Sequence, residues 1–373
     1  MGSSKKLNGD INKAFNFLPH PLYLTLPMST IYITENDATF KIQGQYFKVF
    51  RQEKQRFFIR INNISQFIIF GNIKLPKDVM QIVRLNQIPV LYLTQMGEYV
   101  GRVENPSIVQ SKYLTFQRQR LRDIEFNRAT AESIIWAKLH NQQTFLQSWT
   151  RQYADHKIQR ALNYLTLLMD NLSAAPSIDE LHEYIKEADK VYYCAVTSLL
   201  SLYNLHPHTT AKQISRFLNL GNQLLHQYIY THLQTAGLHP DYGILHRDRD
   251  NELPLAWDFS AEFRAPIVDD LVLNFARNII NTNGNGNGNG KKSNTLLQRF
   301  LQHWEGKLKT FVLHPYAGEV TYRQCIDLQV REYISSLLGD VEYYRPLALK
   351  FHPNHHSFTN IAESQKPALT LVK

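Results

Sequence analysis

The fold is decided by two neighbouring runs, Gly237-Leu-His-Pro-Asp-Tyr-Gly-Ile-Leu-His246 and Leu253-Pro-Leu-Ala-Trp-Asp-Phe-Ser-Ala-Glu-Phe-Arg264. A helix that continues through Leu233 is predicted to end at the turn that Gly237 begins. In the second run, Asp258 and Ala261 are three residues apart, so they share one face of a helical turn. Asp258 could therefore reach toward His246.

The two runs resemble the signature of the CRISPR-associated adaptation integrases, the "Cas one" endonuclease family. That signature reads Gly-Leu-Asp-Pro-Tyr-x-Gly-x-Leu-His and then Leu-Ala-Leu-Asp-Leu-x-Glu-x-Phe-Arg. The resemblance begins at Met28-Ser-Thr-Ile-Tyr-Ile-Thr34, includes Ala137-Lys-Leu-His-Asn-Gln142, and continues in the family order to about residue 280. It implies a role in CRISPR adaptation (spacer acquisition), the part of antiviral defence that inserts a short DNA duplex into a repeat array.

The resemblance also implies a divalent metal, magnesium or manganese, held by a glutamate, a histidine and a further acid. His246 stands at the histidine position, but Ile185 and Ala261 stand at the two acidic positions. Neither an isoleucine nor an alanine side chain can bind a hard cation, which requires oxygen ligands. We therefore expect a DNA-binding protein whose catalysis is impaired, with two of three ligand positions degenerate.

The alternative is an active metal-dependent integrase or endonuclease that uses displaced carboxylates. Asp189 lies one helical turn after position 185, and Asp258 lies one turn before position 261, so both could supply oxygen ligands. Glu262 is rotated by about 100° from position 261, which makes it a poorer substitute. In this alternative His246 is a metal ligand and a catalytic residue, and whether the chain is an enzyme stays open.

The chain is basic, with 41 lysines and arginines against 32 acids and a net charge of +9. This balance favours a polyanionic partner, nucleic acid before an anionic membrane, or else only aids solubility. Residues 111–160 carry nine basic side chains and four acids, for which the plainer interpretation is a solvated helix. The predicted DNA-binding residues are Arg118, Arg120, Arg122, Lys138, Arg216, Arg247, Arg249 and Arg264, the last of which is alternatively part of a core ion pair.

Location and partners follow from what the sequence contains. Two cysteines form no disulfide framework, so a reducing cytoplasm is expected. The sequence has no apolar run of about 18 residues and no apolar core of a signal peptide, so no membrane association is expected. The resemblance implies double-stranded DNA as the ligand, a homodimer, and as a further partner either the small adaptation protein "Cas two" or an active paralogue.

The hydrophobic pattern predicts an α+β protein with two domains. Residues 1–27 are a polar extension that we expect to be flexible. Residues 28–108 alternate β-branched and aromatic runs with turns, which predicts a small sandwich-like β domain; the resemblance implies that this domain dimerises. Residues 109–373 are predicted to form a larger all-α domain that binds DNA, in which the Asn-Gly repeat makes 281–294 a flexible loop.

Overall fold

The computed structural model describes residues 29–35, 37–103, 111–150, 155–202, 207–246, 252–282, 291–349 and 371–372. Strands dominate up to residue 103 and helices dominate after it, which confirms the predicted α+β class. The extension 1–27, residues 283–290 of the predicted loop, and Arg247 and Arg249 lie outside the described residues. Within the described ranges, no helix combines the length and the apolar character that crossing a bilayer requires.

Two sheets form the β region. Its strands are β1 (Ser29–Ile33), β2 (Thr39–Gln43), β3 (Tyr46–Arg51), β4 (Lys54–Arg60), β5 (Ile64–Phe70), β6 (Val90–Leu93) and β7 (Tyr99–Val103), with β10 (Leu371–Val372) added from the end of the chain. One sheet has five strands in the order β10-β1-β5-β6-β7, and the other is the antiparallel β2-β3-β4. The helix α1 (Lys77–Leu85) connects β5 to β6, which run parallel.

The five-stranded sheet is buried on both faces because its central strands are almost wholly apolar. Ile31 and its same-face neighbours share a core with α1 and the three-stranded sheet, where the rings of Phe47 and Phe67 lie 5.0 Å apart. Tyr32 and Ile68, one residue along their strands, belong instead to the large core of the helical region. Alternate residues of the same strands therefore join the two parts of the molecule.

Long helices build the second part: α2 (Leu114–Arg120), α3 (Ile124–Thr150), α4 (His156–Asn171), α5 (Ile178–Leu202), α6 (Pro207–Ala236), α7 (Pro254–Phe263), α8 (Asp270–Thr282), α9 (Lys291–Leu308) and α10 (Tyr322–Leu338). Between α7 and α8, Arg264–Asp269 form a π-helical turn. Pro266 lies in that turn and has no N–H to donate, so the regular α-helical bonding is interrupted there.

The C-terminal region is mostly helical, as predicted, and also contains short strands. Strands β8 (Phe311–His314) and β9 (Gly318–Thr321) form an antiparallel hairpin, and Gly318 takes the φ of 73° at the turn. Leu371 of β10 pairs in parallel with Tyr32 of β1. Strands of four and two residues are too short to show a periodicity of two, so the sequence pattern did not reveal them.

Buried polar contacts fix the β region on the helices. Tyr32 donates its hydroxyl to Glu305 of α9 at 2.7 Å, and Thr231 of α6 donates to Gln66 of β5 at 2.8 Å. Arg102 of β7 donates to the side chain of a glutamine on α6 at 3.0 Å. Because these particular contacts form only when both parts are assembled, they favour one orientation of the sheet on the helices.

Candidate active site

One carboxylate holds the turn that follows α6. Gly237 ends that helix with a φ of 87°. Asp258 of α7 accepts hydrogen bonds from the backbone N–H groups of Ile244 at 2.6 Å, Leu245 at 3.2 Å and His246 at 2.8 Å. The Asp258 side chain is fully buried. The three N–H donors replace the water that the carboxylate loses on burial.

The same carboxylate orients the imidazole of His246. Oδ1 of Asp258 lies 2.8 Å from Nδ1 of His246, whose side chain is 31% exposed. Because an ionised carboxylate oxygen only accepts, Nδ1 carries the proton and Nε2 keeps a free lone pair. This tautomer can accept a proton or bind a cation at Nε2.

A second histidine near His246 is neutral. Burial and the positive charge of Arg102 together lower the pKa of His226 to about 3. The His226 ring stacks on Trp257, with 4.2 Å between ring centroids. His226 therefore acts as a packing group that carries no charge at neutral pH.

The carboxylates predicted as substitute ligands have other partners. Asp189 accepts from Nζ of Lys138 at 2.7 Å and from Gln142 at 3.1 Å. Glu262 is fully buried and points to the C-terminal segment, and Asp258 is occupied by the turn. Among the described residues, no three His, Cys, Asp or Glu side chains converge as a metal site would require. Two further acids that the sequence analysis did not weigh, Asp248 and Asp250, lie in the segment outside the described residues.

Ile185 and Ala261 are partly buried and pack against the large helical core. Apolar groups thus occupy the two positions where the resemblance implies acids. A divalent cation needs several oxygen ligands, and both oxygens of Asp258 already accept hydrogen bonds. The described residues therefore do not fit a divalent metal in the arrangement that the resemblance implies.

Buried charges around α5 and α7 form one cluster. Burial lowers the pKa of Lys138, and the adjacent Asp189 raises it. Burial raises the pKa of Asp269, Arg264 and the hydroxyl of Tyr192 partly offset this rise, and the resulting pKa is about 6. The Arg264 guanidinium also lies over an aromatic ring at 5.3 Å. These contacts place Lys138 and Arg264 in a structural network. The sequence predicted a DNA contact for Lys138, and either a DNA contact or a core ion pair for Arg264.

The remaining predicted DNA-binding arginines divide into two groups. Arg120 and Arg216 donate to backbone carbonyl oxygens, at 3.2 and 2.8 Å. Arg118 and Arg122 are exposed, and Arg118 donates to the Tyr242 hydroxyl at 2.8 Å, beside the His246 turn. Of the predicted set within the described ranges, Arg118 and Arg122 are thus the two most available to a polyanion.

Sequence analysis missed Gln117, a glutamine that lies within a run of basic residues. Its buried side-chain amide donates to the carbonyl of His239 at 3.0 Å and accepts from the N–H of His239 at 2.8 Å. The side chain therefore satisfies one backbone donor and one backbone acceptor of the turn. A polar residue in a polar helical run gives no sign of burial, so no sequence signal marks this role.

Replacing Gly243 by alanine is expected to lower the free energy of unfolding by about 1–3 kcal/mol. A Cβ at this position would lie 2.7 Å from the carbonyl oxygen of His246 and 2.9 Å from the backbone of Pro254. Backbone atoms on both sides cannot move aside independently. Urea denaturation followed by circular dichroism measures the change.

The matched control is Gly306→Ala in α9, where an added Cβ meets no atom within 4 Å. This variant should be about 0.5–1 kcal/mol more stable than the parent, because alanine favours a helix over glycine. Equal denaturation midpoints for the two variants would contradict the close approach at Gly243.

Glu262 makes stability depend on pH. Burial raises its pKa, hydrogen bonds from Tyr344, Leu347 and Gln329 partly offset this rise, and the resulting pKa is about 7. Since the folded pKa exceeds the ordinary value of 4.5, the contribution is complete below about pH 4.5 and is lost as pH rises through about 7. Between pH 5 and 8 the unfolding free energy should therefore fall by up to about 3 kcal/mol through this group.

The measurement is urea denaturation at several pH values, with Glu262→Gln beside the parent. The variant should show a shallower decline because its side chain does not ionise. Glu319→Gln removes an exposed carboxyl and should keep the parent's profile. Identical profiles for all three proteins would show that Glu262 does not govern this window.

Comparison with known proteins adds a sequence family and a fold. Residues 31–306 match the family described as CRISPR associated protein Cas1. The chain is 23% identical over 340 residues to the CRISPR-associated endonuclease Cas1 3 of Thermus thermophilus, covering 87% of this chain and 98% of that one. Its fold is similar to a chain of a Cas6-RT-Cas1–Cas2 complex, with TM-score 0.68, 17% identity and coverage of 86% and 36%. A casposase bound to integration product gives TM-score 0.67, 18% identity and coverage of 87% and 94%.

Proposed function

The chain belongs to the Cas1 family of CRISPR-associated proteins, and from this membership we propose that it is a DNA-binding adaptation protein without the family's metal-dependent chemistry. The observation that carries the proposal is the use of Asp258. Its two oxygens accept three backbone N–H groups and the His246 imidazole, so they hold a turn rather than a cation.

The other acids support the same conclusion. Releasing Asp189 for a metal would leave the ammonium of Lys138 buried without its partner, which costs several kcal/mol. Releasing Glu262 would detach the hydroxyl of Tyr344 and the N–H of Leu347. Each substitute ligand is therefore more favourable in its present contacts than in a rebuilt metal site.

The proposed ligand is double-stranded DNA, held by the exposed basic side chains of the helical region. Arg118 and Arg122 on and after α2, and Lys157 and Arg160 on α4, are exposed. Phosphate contacts of this kind make affinity fall steeply as salt concentration rises. We also propose a homodimer formed by the β region, in the cytoplasm. The proposed protein partner is Cas2 or an active paralogue, because a structural neighbour belongs to a Cas1–Cas2 complex.

A second candidate function is an active metal-dependent endonuclease or integrase. The observation that favours it is the half-exposed His246, whose Nε2 is left free by the bond from Nδ1 to Asp258. Magnesium or manganese would then bind at this imidazole with carboxylates drawn from Asp189, Asp258 or Glu262 after local rearrangement. The two candidates differ in whether DNA joining depends on metal and on His246.

A strand-transfer assay at low salt tests the proposal. The protein is mixed with a short duplex bearing free 3′-hydroxyl groups and a supercoiled target, first with manganese and then with a chelator. We expect a shifted DNA band on a native gel, no joined product, and no effect of the chelator or of His246→Ala.

The matched control is His303→Ala, which removes an exposed histidine of α9. Manganese-dependent joining that is retained by this control and lost in His246→Ala would establish the second candidate. Absence of any DNA shift at low salt would reject DNA binding itself, whichever candidate is considered.

A further inference from the structure

The outward face of the three-stranded sheet carries aromatic and cationic side chains. Its inward face packs on the β-region core through Phe47 and Val49, so the alternate residues of each strand point to solvent. Paired residues across the strands form three rows on this outward face: Thr39, Phe50 and Gln55; Lys41, Lys48 and Phe58; Gln43, Tyr46 and Arg60.

The aromatic rings of this outward face differ in exposure: Phe58 is exposed, and Tyr46 and Phe50 are partly buried. Phe58 is 56% exposed, although a phenylalanine of a stable sheet is normally covered. Its ring meets that of Tyr46 edge to face, with 5.8 Å between centroids. The Tyr46 ring in turn lies beneath the guanidinium of Arg60, which also donates to its hydroxyl at 3.1 Å. Neighbouring contacts thus hold the rings in place while leaving the Phe58 ring open.

The charges of this face are of one sign. Lys41 and Lys48 stand directly opposite each other on β2 and β3, an arrangement that destabilises an antiparallel pair. Within the part of the chain that the structure describes, neither ammonium pairs with an acid: Lys48 donates to Gln43 at 2.6 Å, and Lys41 lies over the Phe50 ring at 5.4 Å. The nine positions of the three rows contain no aspartate or glutamate. A bound polyanion would offset the repulsion between the Lys41 and Lys48 ammonium groups.

We propose that this outward face binds single-stranded nucleic acid. Bases stack on Phe58 and Tyr46, and phosphates lie against Lys41, Lys48 and Arg60. Base–aromatic stacking tolerates any sequence because every base has a π-face, and a duplex offers such faces only at its ends. This proposal does not depend on whether His246 is catalytic, since the surface lies on a different part of the chain.

A second copy of the chain fits this outward face poorly. A two-fold axis uses the same patch on both copies, so each copy would bring Lys41, Lys48 and Arg60 and no acid of these rows into the interface. Like charges in an interface oppose association. The homodimer proposed above must then use another surface of the β region.

Fluorescence anisotropy at low salt tests this inference with labelled 20-nucleotide thymidine DNA, uridine RNA of the same length, and a 20-base-pair duplex. Phe58→Ala should weaken single-strand binding between about 5-fold and 150-fold, the loss of one stacked base. Phe58→Trp should retain binding. Lys48→Ala should reduce the slope of log affinity against log salt by about 0.7, the value for one phosphate contact.

The matched control is Phe311→Ala, which removes a phenylalanine that is 51% exposed on strand β8. It should bind single strands as the parent does. Base stacking on this face accepts either DNA or RNA. The ratio of the affinities for the two oligomers therefore shows which of them the protein prefers. A parent that binds neither oligomer, or a Phe58→Ala variant with parental affinity, would overturn the inference.

Light scattering separates binding from self-association. If Phe58→Ala shifts the protein from dimer to monomer with unchanged single-strand affinity, the face joins two copies and the inference is wrong. The double variant Arg118→Ala with Arg122→Ala tests the helical surface. If it loses duplex binding but still binds the thymidine oligomer, the duplex binds the helical region and the single strand binds elsewhere. Failure of the proposed function and failure of this inference are thus distinguishable.

Discussion

Replacing Asp258 by alanine should lower the free energy of unfolding by about 3–5 kcal/mol, the largest stability effect we expect from one substitution in this chain. The carboxylate is fully buried and accepts the N–H groups of Ile244, Leu245 and His246. Alanine would leave these donors buried without an acceptor, and each unsatisfied group costs about 1–3 kcal/mol. Urea denaturation followed by circular dichroism and by the fluorescence of the adjacent Trp257 measures the loss.

The control for this prediction comes from the same turn. The side chain of Asp241 is 62% exposed, and its carboxylate is 4.0 Å from the nearest imidazole nitrogen. Asp241→Ala should therefore change stability by less than about 0.5 kcal/mol. If the Asp258 and Asp241 variants denature at the same urea concentration, the turn is not held by the Asp258 carboxylate, and that acid becomes available for another role.

Sequence reasoning located Asp258 correctly but could not give its partners. A spacing of three residues on a helix indicated that it could reach toward His246, and the two side chains lie 2.8 Å apart. The three N–H groups of the turn are invisible in a sequence, because every residue except proline carries one. Whether such an acid holds a backbone turn or a cation depends on where those donors point.

Burial explains why the basic residues were harder to interpret. Lys138 and Arg264 look like DNA contacts in a chain of net charge +9, yet they belong to a cluster that includes Asp189. Lys138 and Asp189 are 51 residues apart, on different helices. Helical periodicity identifies which residues share one helix face, but it does not indicate which face of another helix packs against it.

The fold was predicted where periodic segments were long. The change from alternating β runs to helical spacing near residue 110 separated the two parts of the chain. The order of the motifs that resemble the Cas1 signature agreed with this division. The pairing of Leu371 with Tyr32 joins residues that are far apart in sequence, and no local pattern encodes such a contact. The β8–β9 hairpin was missed for the related reason that its strands are short.

Restoring both acids, as Ile185→Glu with Ala261→Asp, should create a metal site and give the largest functional change. We expect the affinity for Mn²⁺ to rise about a hundredfold or more, since affinity at such sites follows the number of carboxylate ligands. Manganese-dependent strand transfer should then appear. Isothermal titration of Mn²⁺ and the joining assay are the measurements, with each single variant beside the double variant.

The surroundings of the two positions leave room for this result. Ala261 lies one turn from Asp258 on α7, so a new acid there approaches His246 without displacing the carboxylate that holds the turn. Lys186, the residue after position 185, is exposed and has its ammonium 2.6 Å from Glu183. The Lys186 ammonium is therefore paired with Glu183 and need not repel a cation bound at position 185.

The control is the uncharged pair, Ile185→Gln with Ala261→Asn, which has nearly the same shape but cannot supply carboxylates. It should bind Mn²⁺ no better than the parent. A folded double-acid variant that binds Mn²⁺ like this control would show that substitutions beyond Ile185 and Ala261 prevent metal binding. The loss of chemistry would then lie in the surrounding packing, because two carboxylates and a correctly oriented histidine would not have been sufficient.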